Sequence, residues 1–284
     1  MVPIILDHDI GTNPDDFFEL LLLLSRAPER LKLLVSGNRF PVERALMAAG
    51  VLKDLGFDPG MSLSGEETGC AEFYAPETLS KELPPPAADY IKTIRRIIER
   101  DGRTVYLCTQ GLSNLARFAR EYPELVGQLD VYHMGMNLNG YENWIKGGTN
   151  MEADPAAAKF IYGTLRNLTV VGAHTTTQEG LRVNPGTLLY RIVSGKGHPA
   201  FQKLAAHLEN FHGRRGRYPC MHDPLTASAA LGENFCQFQK VSVDFDHRGL
   251  YRKGSQMIVN ISRTECDTGG FMEYLAKALE GLVG

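Results

Sequence analysis

Short apolar segments that are typical of buried β-strands alternate with helical patterns along most of this 284-residue sequence. Strand and helix repeated in this way predict an open, mostly parallel central sheet with helices on both faces, an α/β fold. From about residue 241 to residue 261 apolar and polar residues alternate, which predicts a short antiparallel addition near the C-terminus. Strands are predicted at residues 2–6, 31–36, 104–109, 129–134 and 168–172. Helices are predicted at residues 17–24, 42–55, 90–100, 156–162, 225–231 and 271–283, and a further helix follows the turn at 110–114 and ends at residue 120.

The chain contains no internal repeat and no Gly/Ser-rich linker that would divide it, so we expect one domain over residues 1–284. Residues 59–87 have the strongest loop character, with three consecutive prolines at 84–86 and few apolar anchors. This composition predicts a flexible flap.

Composition excludes several classes of partner. The net charge is −3 and the isoelectric point is about 6.3, so no basic field attracts nucleic acid or an anionic membrane. The longest apolar run, Phe17 to Leu24, is too short to span a bilayer. No basic n-region precedes an apolar stretch, so we expect no signal peptide. The five cysteines are odd in number and have no CxxC spacing, which predicts reduced thiols in a cytoplasmic protein and no zinc site.

Four carboxylates follow the first predicted strand within ten residues: Asp7, Asp9, Asp15 and Asp16. Carboxylates this close repel one another unless a positive charge lies among them, and hard divalent cations prefer such oxygen ligands. The carboxyl end of a strand in an open α/β sheet is also where these folds bind ligands. The sequence therefore predicts a metal site here; capping of the following helix explains at most two of the four acids.

Other polar residues follow later strands, namely Asn38, Ser113, Asn114, the loop 135–150 and His174, and should converge on the same crevice. A second cluster, His222-Asp223-Pro224, begins an apolar helix. From the local pattern alone Asp223 could equally cap that helix or bind a metal.

Taken together, these motifs resemble the inosine/uridine-preferring nucleoside hydrolases. The resemblance extends over nearly the whole chain and implies a calcium-dependent N-ribohydrolase of purine or pyrimidine salvage, acting on a small nucleoside and assembled as a homo-oligomer, dimer or tetramer. The motifs, in chain order, are Asp7-x-Asp9-Ile-Gly-x-x-x-Asp15-Asp16, Gly37-Asn38, Gly111-Leu-Ser-Asn114, Met134-Gly135, Asn150-x-x-x-Asp154-Pro155 and His222-Asp223-Pro224.

The resemblance implies a role for each matched residue. Asp9, Asp16, Asp223 and the backbone carbonyl of Ser113 would bind Ca²⁺, with Asp7 as a further ligand or as a support. Asp9 would also take the proton from a calcium-bound water, and His222 would protonate the leaving base. The ribose hydroxyls would be held by Asp15, Asn38 and Asn150.

The chain departs from the family pattern on the substrate side. Gly148 stands where family members commonly carry a Glu for the 5′-hydroxyl, and Glu142, next to Asn143, stands where they carry a sugar-binding Asn. His174 replaces an aspartate, and the flap lacks the family's His-Gly pair. We expect Glu142, Asn143 and His174 to face a substrate whose base and sugar substituent differ from those of ordinary relatives.

Two other classes stay open at this stage. One is an inactive relative that binds metal and a ribosyl ligand without turnover. The other is an aspartyl-phosphate hydrolase, in which Asp7 would be the nucleophile and magnesium the metal. The immediate succession of Asp15 and Asp16 argues against the second.

Overall fold

The computed structural model describes residues 1–69, 72–79, 83–86 and 88–282. In these residues nine strands and eleven α-helices follow one another. In chain order they are β1 (Ile4–His8), α1 (Asp15–Arg26), β2 (Leu31–Ser36), α2 (Pro41–Asp54), β3 (Ser62–Ser64), α3 (Tyr90–Asp101), β4 (Thr104–Cys108), α4 (Ser113–Glu121), β5 (Leu129–Met134), α5 (Thr149–Ala153), α6 (Pro155–Thr164), β6 (Leu168–Val171), α7 (Ala173–Thr176), α8 (Leu188–Gly195), α9 (Pro199–Arg215), α10 (His222–Leu231), β7 (Cys236–Phe245), β8 (Tyr251–Lys253), β9 (Met257–Cys266) and α11 (Thr268–Leu282).

All nine strands form one sheet in the order β3-β2-β1-β4-β5-β6-β9-β7-β8. The strands from β3 to β9 in this order are parallel, whereas β7 pairs antiparallel with β9 and with β8. The predicted fold class, including the antiparallel addition, is therefore confirmed. None of the described helices is both long and apolar enough to cross a bilayer.

β1 lies inside the sheet because both of its faces are apolar. Ile4 and Leu6 pack into the cluster that contains α1, and Ile5 packs into the cluster on the opposite face. Successive side chains of a strand point to opposite faces, so a strand covered on both sides needs an unbroken apolar run. The chain leaves this strand at the carboxyl edge of the sheet, where the acidic loop begins.

Several boundaries differ from the predicted ones by one to three residues. α1 begins at Asp15 and not at Phe17, because Pro14 precedes it and the two acids occupy its first turn. Asp154 caps α6 as predicted, its carboxylate accepting from the Ala157 amide at 2.9 Å. Asp223, in contrast, lies within the first turn of α10 and its side chain does not cap that helix. The sequence pattern did not predict α8 and α9.

The predicted flap is anchored where it is described. Gly65 donates its amide to Ser36, and Tyr74, which is 4% exposed, donates its amide to Gly11. These bonds, both 2.7 Å long, tie the stretch 59–69 to the end of β2 and the stretch 72–79 to the acidic loop. Residues 70, 71, 80–82 and 87 of the predicted flap lie outside the described residues.

Candidate functional site

A cavity of about 280 Å³ lies at the carboxyl edge of the sheet, at the ends of β1, β4 and β5. Four carboxylates line it: Asp9, Asp15, Asp16 and Asp223. The convergence follows from the topology, since the carboxyl ends of parallel strands meet at one edge. α1 and α10 pack against each other and both carry acids in their first turn, which brings residues 15, 16 and 223 together.

Carboxylate oxygens of Asp15, Asp16 and Asp223 lie within 4.8 Å of one another, and all three residues are buried. Burial raises the pKa of Asp15 to about 7, and burial together with neighbouring carboxylates raises the pKa of Asp16 and Asp223 well above the usual range. Asp15 Oδ2 accepts from the His222 amide at 3.2 Å, whereas buried Oδ1 has no hydrogen-bond partner in the part of the chain that the structure describes. An all-oxygen set with an open acceptor fits a hard divalent cation.

Asp9 lines the same cavity but does not belong to that group of three. Its backbone amide donates to Asp16 Oδ1 at 3.0 Å, and its Oδ2 accepts from Asn38 Nδ2 at 2.8 Å. Asn38 is 2% exposed, has a φ of +63° and is not a cavity-lining residue. The structure therefore places Asn38 behind Asp9, and the predicted ribose contact does not fit this position.

Arg44 of α2 holds the backbone of the acidic loop. Its guanidinium is fully buried and donates to the carbonyls of Asp9 and Ile10, the latter at 2.9 Å. The backbone of the loop is thus held by a cation from α2 while the carboxylates face the cavity. A single arginine within a helical pattern gave no signal of this role in the sequence.

Thr109 and Glu19 form a second pair that sequence reasoning missed. Thr109 follows β4, lines the cavity and donates its hydroxyl to Glu19 Oε2 at 2.8 Å. Glu19 lies one turn after Asp15, is fully buried, and burial raises its pKa well above the usual range. Its Oε1 has no hydrogen-bond partner among the described residues. A fifth carboxyl group therefore lies beneath the four that line the cavity.

Ser113 lies elsewhere than predicted. It lines a separate, open cavity beside α4, where its hydroxyl donates to Asp154 Oδ2 at 2.9 Å. Thr109, which directly follows β4, lines the cavity together with the acids, whereas Ser113 does not. Ligands of open α/β sheets bind at the carboxyl ends of strands. This rule favours Thr109, which directly follows β4, over Ser113, which begins α4, as a residue of the site.

Asp7 is fully buried and is not a cavity-lining residue. Its carboxylate accepts from Tyr106 Oη at 2.7 Å, from Asn114 Nδ2 at 2.8 Å and from Gln110. Burial nevertheless raises its pKa to about 6. This placement fits the supporting role and not direct metal ligation, and it leaves Asp7 no access as the nucleophile of a phosphohydrolase.

His222 lines the cavity, and its Nδ1 lies 2.7 Å from Thr176 Oγ1. Burial, with Arg217 and Arg182 nearby, lowers the pKa of its imidazole to about 4. The ring is therefore neutral near pH 7. If Thr176 donates to Nδ1, the remaining ring proton is on Nε2.

Asn150 lines the cavity as predicted, and its Nδ2 donates to the carbonyls of Thr109 and Met134 at 2.9 and 3.0 Å. Glu142 and Asn143 are exposed in the loop after β5 and do not line the cavity. His174 is also outside it, since Nδ1 accepts from the Leu138 amide and Nε2 contacts the Ser262 carbonyl at 2.9 Å. The predicted substrate contacts of these last three residues do not fit the observed placement.

The residues at the mouth of the cavity lie in and just after α9, a helix that the sequence pattern did not predict. Phe211 and Arg215 lie in the last turns of α9, and Arg217 follows it. Gly216 between the two arginines ends the helix with a φ of +65°. An apolar ring and two exposed guanidinium groups thus line the same cavity as the four buried acids, which form its floor.

Comparison with known proteins is consistent with this geometry. Residues 4–273 match the family model described as inosine-uridine preferring nucleoside hydrolase. No curated protein sequence matches the chain.

Several solved structures share the fold. A Bacillus anthracis inosine-uridine preferring nucleoside hydrolase has a TM-score of 0.78 at 13% identity, over 99% of this chain and 100% of that one. A Gardnerella vaginalis purine-preferring ribonucleoside hydrolase has a TM-score of 0.73 at 16% identity, over 99% and 98%. A plant nucleoside hydrolase has a TM-score of 0.76 at 18% identity, over 98% of each chain.

Proposed function

The chain belongs to the inosine-uridine preferring nucleoside hydrolase family and is therefore a nucleoside N-ribohydrolase, and we propose that it works with a calcium ion and with Asp9 as the base. The observation that carries this proposal is the convergence of four carboxylates in one cavity, with a buried oxygen of Asp15 left without a protein partner in the described chain. Cleavage of the N-glycosidic bond needs negative charge beside a sugar that becomes cation-like in the transition state.

The cation would be held by Asp15, Asp16 and Asp223, whose oxygens are close enough to share one ion. When bound, it supplies positive charge that orients a water molecule and eases its deprotonation. The family resemblance implied that Asp15 binds a ribose hydroxyl; in this proposal it binds the metal instead. Thr109 lies beside these residues and would offer its carbonyl in place of Ser113.

Asp9 would accept the proton of the attacking water. Its Oδ2 accepts from Asn38, which leaves Oδ1 as the oxygen that would take the proton. A base held in one orientation reacts faster because no rotation has to be frozen in the transition state. Asn150, fixed by two backbone carbonyls, would direct its remaining amide oxygen to a ribose hydroxyl.

His222 would assist the leaving base as a neutral imidazole. With the Thr176 hydroxyl donating to Nδ1, Nε2–H is the group that can donate a hydrogen bond to a ring nitrogen of the base. Negative charge that develops on the departing base is then stabilised without full protonation.

The test is release of ribose from a nucleoside panel in calcium, compared between wild type and Asp9→Asn. We expect turnover to fall about 100-fold or more in the variant, since a general base contributes at least that much. Asp101→Asn, which changes a surface ion pair with Arg100, is the matched control and should keep full activity. If wild type binds calcium tightly but releases no ribose from any member of the panel, the chain is a binding protein instead.

We also propose a cytoplasmic homo-oligomer, dimer or tetramer, that serves nucleoside salvage. The odd number of cysteines supports a reducing compartment. Light scattering of the purified protein and fractionation of the source cells test these two points.

A further inference from the structure

The mouth of the cavity carries two guanidinium groups that the catalytic proposal does not use. Arg215 and Arg217 both line the cavity and both are exposed. Arg217 lies near enough to His222 for its charge to act on that ring, and Arg215 lies 5.5 Å from the Tyr74 ring centroid on the flap side. Two residues apart in the chain, the two arginines both lie where the cavity opens to solvent.

Neither arginine has a carboxylate partner within ion-pair distance among the residues that the structure describes. Four other exposed arginines, Arg95, Arg100, Arg103 and Arg117, each pair with an Asp or Glu. Arg215 and Arg217 differ from these four because no neighbouring acid neutralises their charge, and they differ from other exposed arginines because they line the cavity. Their charge remains available to a ligand.

The acids that line the cavity do not pair with these arginines. All of them, Asp9 and the group of three at residues 15, 16 and 223, are buried at the floor. The proposed divalent cation would lie among them and offset part of their negative charge. The mouth then keeps two positive charges, with buried Phe211 as its apolar neighbour.

We propose that the ribosyl substrate carries an anionic group, a phosphate or a carboxylate, which Arg215 and Arg217 bind at the mouth of the cavity. This inference rests on the proposed N-ribohydrolase function and adds the substrate class. Guanidinium groups present paired N–H donors that match the oxygens of both anions. The phosphate would be attached to the sugar, and the carboxylate to the base.

Two matched substrate pairs distinguish the sources of the anion. Inosine and inosine 5′-monophosphate differ only by a phosphate on the sugar, and uridine and orotidine differ only by a carboxylate on the base. Release of reducing sugar gives kcat/KM for all four with calcium present. We expect the anionic member of one pair to exceed its neutral partner about tenfold to 100-fold, as for hydrogen bonds between charged groups.

The variants are Arg215→Met and Arg217→Met, with Arg214→Met as the matched control. Arg214 also lies over the Tyr74 ring, at 5.2 Å, but does not line the cavity. We expect the anionic-to-neutral ratio of kcat/KM to fall about tenfold in each of the first two variants and to stay at the wild-type value in the control. Added salt should reduce the ratio in wild type.

A binding experiment separates failure of this inference from failure of the proposed function. Calorimetry compares ribose 5-phosphate with ribose, and orotate with uracil, on the calcium-loaded protein. Tighter binding of one anion, weakened by Arg217→Met, supports the anion site even if no substrate is cleaved. Equal binding within both pairs, or a preference that both arginine variants leave intact, overturns it.

Discussion

The side-chain amide of Asn38 donates a 2.8 Å hydrogen bond to Oδ2 of Asp9, so one oxygen of the candidate base is held from outside the cavity. Asn38 reaches this position with a φ of +63°, a conformation that Asn and Gly adopt more easily than other residues. The pair joins the ends of β1 and β2, two neighbouring strands of the sheet.

Asn38→Gly tests this relationship because glycine tolerates the positive φ and removes the side chain that bonds Asp9. We expect kcat to fall about tenfold to 100-fold, the cost of losing a hydrogen bond to a charged group, with calcium affinity changed little. Steady-state kinetics and calcium titration measure the two effects. A loss of calcium affinity with kcat preserved would show that Asn38 serves the metal.

Removal of divalent cations should lower both activity and stability. Four carboxylates that repel one another gain most from a bound cation, and saturating calcium should raise Tm by about 5 °C. Differential scanning fluorimetry in EGTA, in EDTA and with added calcium or magnesium separates the metals. Asp223→Asn should abolish the response, and a wild-type Tm indifferent to every chelator would contradict the metal site.

Glu19→Gln should stabilise the metal-free protein, and more so at high pH. A carboxyl whose folded pKa is raised contributes stability that is present at low pH and is lost as pH rises through the folded pKa. Glutamine keeps an acceptor for Thr109 but carries no charge. Urea denaturation in EDTA at pH 5 and pH 8 should show a gain that grows with pH, and an equal gain at both would exclude this cause.

Thr176→Val removes the hydroxyl that faces Nδ1 of His222. We expect kcat on ordinary nucleosides to fall about tenfold or more, whereas a riboside with an activated phenolate leaving group should be little affected. Thr176→Ser should restore activity, and His222→Ala should show the same dependence on leaving group. Equal losses on both substrates would make His222 a binding residue.

Buried neutral histidines should limit stability in acid. His133 is fully buried between Tyr162 Oη and the Gln110 carbonyl, and burial lowers its pKa to about 4. The unfolded chain binds the proton more readily, so stability is present above pH 6.5 and is lost as pH falls toward 4. His133→Gln should reduce the loss between pH 7 and pH 4.5 by about 3 kcal/mol at most in urea denaturation.

The sheet and the acidic floor could be predicted from the sequence because both depend on local patterns. Buried strands need apolar runs, and β2 and β5 have the predicted bounds. Asp9, Asp16 and Asp223 were found because acids that follow strands, or begin helices beside them, meet at one edge. Asn150 was located for the same reason.

The parts that could not be predicted depend on contacts between distant segments. Glu19 is one polar position in an apolar helix, and only the structure places Thr109 above it. Asn38, His174 and Asn150 all follow predicted strands in the sequence. Only Asn150 lines the cavity, and the sequence pattern gives no means of telling it from the other two. The mouth was missed because the helical pattern of α9 was not recognised.

Because the acidic site lies between α1 and α10, which pack against each other, it can form only after both helices have been synthesised. Asp15 and Asp16 leave the ribosome some two hundred residues before Asp223, yet all three belong to one cluster. Until α10 is synthesised, Asp15 and Asp16 lack Asp223, the third member of the group that would hold the cation. Chains that stop before residue 223 therefore contain most of the parallel sheet but no complete catalytic floor, and assembly of the site is a late event of biosynthesis.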